Sequence, residues 1–249
     1  MTQLSDAREF MTAALFGPAI IARLPTRAEE DRVGRHDSVD LAVSRRDALT
    51  ARFPVVRRLL CDETFGAVAW QHAIGERTPD RTRFSDTFPR RLRGFGPGAA
   101  IDYLADVADL EMIRHRAARA PDASPLELAA FASLRLGRMA MTKVTLHPSV
   151  GLVASRFPII AIWEANQTDD EDRNVMTRWR PESALVARPF RKIEMRRLEP
   201  GGIQFLDCLS RRGTIGAAIE VGRAAAPDFD IGGHLLLLID AGIVVALHD

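Results

Sequence analysis

Cysteine is scarce in this chain: it occurs twice in 249 residues, as Cys61 and Cys208, far apart, without a CxxC and without an adjacent His. A disulfide framework or a thiolate metal site is therefore not expected, and a reducing cytoplasm is the expected compartment. Charge of one sign is also missing. The 34 basic and 33 acidic residues leave a net charge of +1, so no overall field points to nucleic acid or to a membrane surface. Lysine is confined to Lys143 and Lys192, and the other 32 basic residues are Arg. That bias reads first as GC-rich coding and only second as a choice of guanidinium chemistry. Long apolar runs are few. Residues 235–247 are interrupted by Asp240, and neither they nor residues 10–22 reach the roughly 20 residues that a membrane span needs. Asp6 and Glu9 make the segment before residue 10 acidic, and no A-x-A pattern follows, which argues against a secretion signal. The expectation is a soluble cytoplasmic protein with no membrane partner.

Catalytic motifs are absent too. The six His residues form no HxxxH pair. Gly94-Phe95-Gly96-Pro97-Gly98 precedes a helix, but no strand leads into it, no GK[ST] follows, and Pro97 removes a donor, so a phosphate cradle is not expected. No G-x-S-x-G elbow is present, and neither Cys has a neighbouring base. Glu111 and His115, four apart on one helix, are the nearest approach to a metal pair; a structural pair is the expected reading, because a carboxylate-bridged site needs further helices to contribute. No catalytic residue, metal or cofactor is expected.

Patterning supplies the fold class. In the first half, Val39, Val43, Ala48 and Phe53 predict a helix that ends before Pro54, which then opens the next one. Asp62 is placed to cap a helix bearing Phe65, Val68, Ala69 and His72. The stripe Ile101, Leu104, Ala105, Ala108, Met112 and His115 predicts a long helix over 98–119, with Asp102, Asp106 and Asp109 toward solvent. Pro121 stops it, and Ser124-Pro125 predicts another helix around 126–136. After that the period changes: 142–146, 183–188 and 192–198 read as strands, the last two as a hairpin, and 243–247 as a terminal strand. Residues 159–163 read as a buried helix, and helices are predicted over 201–212, 214–226 and from the Asp230 cap to Ile239. The sum is α+β, a helical domain over 1–130 followed by a smaller α/β domain over 131–249 with an antiparallel sheet.

Two Arg clusters stand out. Residues 77–93 carry a local +4, from Arg77, Arg81, Arg83, Arg90, Arg91 and Arg93 against Asp80 and Asp86. Residues 173–197 carry a local +6, next to the acidic run 169–172. Either a solvated surface or a carboxylate- or phosphate-binding surface fits these. The helix pair around Arg211-Arg212-Gly213-Thr214 has helix-turn-helix proportions, yet its second helix offers little that reads base edges.

The middle of the chain resembles a known family. Phe53-Pro54-Val55-Val56, Phe88-Pro89 and Tyr103-Leu104-Ala105-Asp106-Val107-Ala108-Asp109-Leu110-Glu111 come first. Ala120-Pro121-Asp122, Leu146-His147-Pro148-Ser149, Ser155-Arg156-Phe157-Pro158, Ile162-Trp163-Glu164-Ala165-Asn166 and Ala187-Arg188-Pro189 follow. Together, over about residues 39–245, they are similar to a bacterial family named for a DNA-binding domain. Its members include accessory proteins encoded beside multinuclear-iron TIM-barrel enzymes in methanobactin and bufferin biosynthesis. Cys61 and Met112 depart from the family's usual Gly and Trp. The resemblance implies a non-catalytic partner that binds such an enzyme and presents its ribosomally made, Cys-containing precursor peptide; a DNA-binding transcriptional regulator is the alternative. A disordered leader is most simply recognised by pairing with an exposed strand edge. The expected edge is the hairpin, with Leu185 and Val186 offering main-chain donors and Arg188, Arg191, Lys192, Arg196 and Arg197 offering charge. The surface around Trp163 and Asn166 is the second choice.

Overall fold

The computed structural model describes residues 36–75, 81–93, 102–132, 136–167 and 179–248. Its class is α+β, at about 58% helix and 15% strand, with helices in the N-terminal part and small antiparallel sheets in the C-terminal part. The described residues fall into two compact units. One runs up to Met112 and includes 161–167; the other holds Ile113–Ile160 and 179–248. The 130/131 division expected from sequence falls inside the second unit. No helix of the described residues is long and apolar enough to cross a membrane. Residues 10–22, the loop 94–98, Ile101, Arg77, Asp80, Arg173, Arg178 and the acidic run 169–172 lie outside the described residues.

The first unit is helical: α1 His36–Arg52, α2 Pro54–Leu60, α3 Asp62–Gly75, α4 Arg81–Asp86, α5 Phe88–Arg93 and the start of α6 Leu104–Arg119. Pro54 sits in the first turn of α2 and forces Phe53 out of helical geometry, at φ −123° and ψ 55°. The break leaves both of that residue's backbone groups bonded: Phe53 N donates to Leu49 O at 3.0 Å, and Arg57 N donates to Phe53 O at 2.9 Å. The Phe53 ring turns inward, 4.9 Å from Phe88, which in turn lies 5.8 Å from Phe65. His72 completes this aromatic core, 4.7 Å from Phe84 and 5.4 Å from Phe88, with its Nε2 3.1 Å from Phe84 O.

Two expectations need correction here. Asp62 does not cap α3 from outside; it is the helix's first residue, and its carboxylate takes both Nε (2.6 Å) and a terminal nitrogen (2.9 Å) of Arg57. The turn before it is made by Cys61 at φ 65°. On α6 the buried surface is wider than a stripe and takes in Val107, Leu110 and Glu111. Asp106 and Asp109 meet the Arg93 guanidinium instead of standing free in solvent.

The second unit carries two sheets. β1 Lys143–Leu146 pairs with β5 Val244–His248, and β2 Gly151–Ser155, β3 Glu182–Ala187 and β4 Glu194–Leu198 form an antiparallel sheet in the order β2-β3-β4. β2 has no counterpart in the sequence reading; Gly151 and Ala154 blunt the alternation that marks a strand. Helices α7 Leu128–Ala132, α8 Leu136–Met139, the start of α9 Ile159–Ala165, α10 Gly202–Ser210, α11 Ile215–Ala225 and α12 Ile231–Asp240 accompany them. Thr214 caps α11 by accepting from Ala217 N at 3.2 Å, and Asp230 caps α12 by accepting from Gly233 N at 2.9 Å. Their core joins Val144, Leu185, Phe205, Leu206, Leu209, Ile215, Leu238 and Ile243. Of the helix expected over 126–136, residues 126 and 127 are not helical, and α7 starts at Leu128. Leu126 is drawn out of helical geometry because its N–H donates to Val244 O at 2.7 Å, continuing the β5 edge.

Candidate functional site

The β3–β4 hairpin is present, in the register Ser183↔Leu198 through Ala187↔Glu194. Its open edge is not where the sequence placed it. Leu185 and Val186 lie on β3, the middle strand, paired with Leu152 and Gly151 on one side and with Arg196 and Met195 on the other. Both side chains are buried, at 1% and 0% exposure, so β3 is covered on both faces and both edges. Among the described residues the outer strands β2 and β4 each have one edge without a strand partner, and the side chains of β4 are half-buried or exposed up to Leu198. The opposite outer strand, β2, begins against the Ile113 side chain, which would collide with any Cβ at Gly151.

The cations expected to serve a peptide have different local duties. Arg188 is only 12% exposed in its side chain. It donates from Nε to Ala117 O at 3.0 Å and from a terminal nitrogen to Ala120 O at 2.6 Å, closing the C-terminal end of α6, and pairs with Asp122 at 2.8 Å. That guanidinium is a structural clamp. Arg188, and more weakly Arg191 at 3.2 Å, hold the Asp122 carboxyl below the usual carboxylate range. Arg196 spans Glu194 at 3.1 Å and Asp240 O at 3.3 Å. Arg197 donates from Nε to Glu182 at 2.9 Å, while the other Glu182 oxygen accepts from Ile160 N at 2.8 Å. Arg191 and Lys192 are the most available: both are exposed, in the turn between the strands.

A buried polar network beneath this turn was not anticipated. His147 and Ser149 are 2% and 3% exposed. The imidazole faces the Ala123 carbonyl at 3.1 Å through Nε2, so that nitrogen carries the hydrogen. Nδ1 then accepts from Ser149 N at 3.1 Å and lies 2.7 Å from Ser149 Oγ. Ser149 Oγ accepts in turn from Arg188 N at 2.7 Å. Two of the family-like strings, Leu146-His147-Pro148-Ser149 and Ala187-Arg188-Pro189, are thus joined by one hydrogen-bond chain. Their strings were visible in the sequence, but their contact was not.

The second-choice surface is half-buried. Asn166 ends α9 by donating to Ile162 O at 2.7 Å, and its own carbonyl accepts from Arg58 at 2.8 Å. Trp163 lies one turn earlier and is half-buried. Glu111 is 4% exposed and accepts from Val55 N at 2.9 Å and Val56 N at 3.2 Å, the free amides that open α2. Its carboxylate therefore serves a helix start. Among the described residues no group of three or more His, Cys, Asp or Glu is placed to hold a metal ion.

The helix pair α10–α11 turns through Arg212 at φ 67°. Gly216 packs on the Ala140 carbonyl, where a Cβ would sit 2.7 Å from the oxygen. The exposed positions of α11 are Ala217, Glu220, Val221, Arg223, Ala224 and Ala225, one cation among mostly small side chains. No protein-family model matches the chain, and no curated protein matches it.

Proposed function

We propose that the chain is a non-catalytic, cytoplasmic partner protein. In this reading it binds a multinuclear-iron, peptide-modifying TIM-barrel enzyme and presents that enzyme's Cys-containing precursor peptide. Two things support the reading: the family-like strings, and the open edge of β4, which is the single observation that carries the peptide-binding part. A five-residue strand offers about 17 Å of ladder to an extended leader. Met195 and Arg197 alternate with Glu194 and Arg196 along it and would read the leader's side chains. The DNA-binding alternative is weaker, because the exposed face of α11 carries little that hydrogen-bonds bases.

Hydrogen exchange tests the site, and co-purification tests the class. With precursor added, amides of β4 should slow while those of β3, already paired on both sides, stay as they were. Protection confined to another segment would move the site. Co-expression with the neighbouring iron enzyme should give a complex that survives gel filtration; separate elution would remove the partner-protein reading.

A further inference from the structure

The turn that joins β3 to β4 carries binding chemistry where turn chemistry is expected. Hairpin turns favour Gly, Asn, Asp and Ser; this one reads Pro189-Phe190-Arg191-Lys192. Phe190 is 65% exposed, and the Arg191 side chain is 82% exposed. Arg191 also sits at φ 63°, in the left-handed region that Gly occupies without penalty. The turn is nevertheless held in place from three sides. The Phe190 ring lies over Gly242, where a Cβ would come within 2.9 Å of two ring carbons, and Gly242 itself is at φ 56°. Arg191 is tied to Asp122 at 3.2 Å, and Arg188 is anchored to the same carboxylate and to the end of α6. The result is one aromatic side chain flanked by two cations, held in position before any partner arrives.

We propose that residues 189–192 form a docking knob for an acidic protein surface with an apolar socket. The proposal rests on the partner-protein reading above and adds where the folded partner engages. A turn is a convex element; it can fill a hole but cannot enclose a chain, so it suits a folded surface better than a leader peptide. Phe190 supplies the apolar anchor, the residue class that dominates interface energetics when it fills a pocket. Arg191 and Lys192 stand at the rim, where they pair with carboxylates and speed encounter. The partner socket should therefore carry Asp or Glu around an apolar floor.

The test titrates the purified co-encoded iron enzyme against the full chain, its F190A and K192E variants, and separately titrates each with the precursor peptide. Phe190→Ala should weaken enzyme binding by about tenfold or more. Lys192→Glu changes an exposed side chain and should fold like the parent. It should weaken binding several-fold at low salt and less at high salt. Peptide affinity should be unchanged in Phe190→Ala, because the β4 edge is intact. If the parent binds the enzyme and both variants bind it equally well, the knob is refuted while the partner reading stands. If the parent does not bind the enzyme at all, that reading falls and the knob with it.

Discussion

Replacing Glu111 by Gln tests whether this carboxylate exists to open a helix. Two buried amides, Val55 N and Val56 N, point at its two oxygens. Gln keeps one acceptor oxygen but turns an NH2 group toward the other amide, leaving a buried donor facing a donor. An unsatisfied buried N–H costs about 1–3 kcal/mol. Loss of negative charge at a helix start adds roughly 0.5–1 kcal/mol. The sum is about 1.5–4 kcal/mol, which for a chain of this length corresponds to about 3–16 °C in Tm. Trp70 on α3 belongs to the same unit, so its fluorescence in a urea titration follows the transition in which the loss should appear. A loss below about 0.5 kcal/mol, where a cap removal should cost more, would refute the reasoning. A rise in the parent's Tm on adding zinc or iron, absent in the variant, would instead make Glu111 a metal ligand.

Three further outcomes follow from the second unit. Arg188→Lys should destabilise it by about 2 kcal/mol in urea denaturation, because an ammonium cannot serve the Ala117 and Ala120 carbonyls and Asp122 in one plane. Asp122→Asn should flatten the acid limb of the stability-versus-pH curve. The native carboxyl is held below its usual value, so its contribution is full above about pH 4 and is lost as pH falls through the folded-state value, and a variant curve parallel to the parent's would contradict this. Ser149→Ala should cost about 1–2 kcal/mol, since the part-buried Arg188 N–H loses its acceptor; amide exchange at Arg188 should quicken with it, and unchanged exchange would show another acceptor.

Much of the secondary structure could be read from the chain because its signals are local. Pro54 fixes the α1–α2 break by sterics between neighbours, and Thr214 and Asp230 cap helices through amides three residues on. The misreadings come where a distant group decides. Residues 121–127 carry a reasonable helix start, Ser124-Pro125, but Leu126 is captured by Val244, far along the sequence. Asp62 has the right residue type for a cap, and the pull of Arg57 redirects it. Glu111, expected to be a structural residue and not a metal ligand, takes its place from α2, whose amides Val55 N and Val56 N donate to it.

The candidate edge shows the same division more sharply. The apolar run 184–187 and the alternation of 192–196 mark 183–188 and 192–198 as strands and their spacing makes them a hairpin, but neither property says which strand faces outward. That depends on a third strand, and β2 is too small-chained to announce itself: Gly151 has no side chain and Ala154 little more. Once β2 pairs with β3, Leu185 and Val186 have no free ladder groups, and the sheet's edges are those of β2 and β4. The same event reassigns charge. Arg188 lies at the end of the middle strand, so it points into the molecule's own helix terminus, whereas Arg191 and Lys192, beyond the paired region, keep their cations exposed. A search for an acidic or extended partner should therefore be directed at β4 and its turn. Variants of Leu185, Val186 or Arg188 would report on folding before they reported on binding.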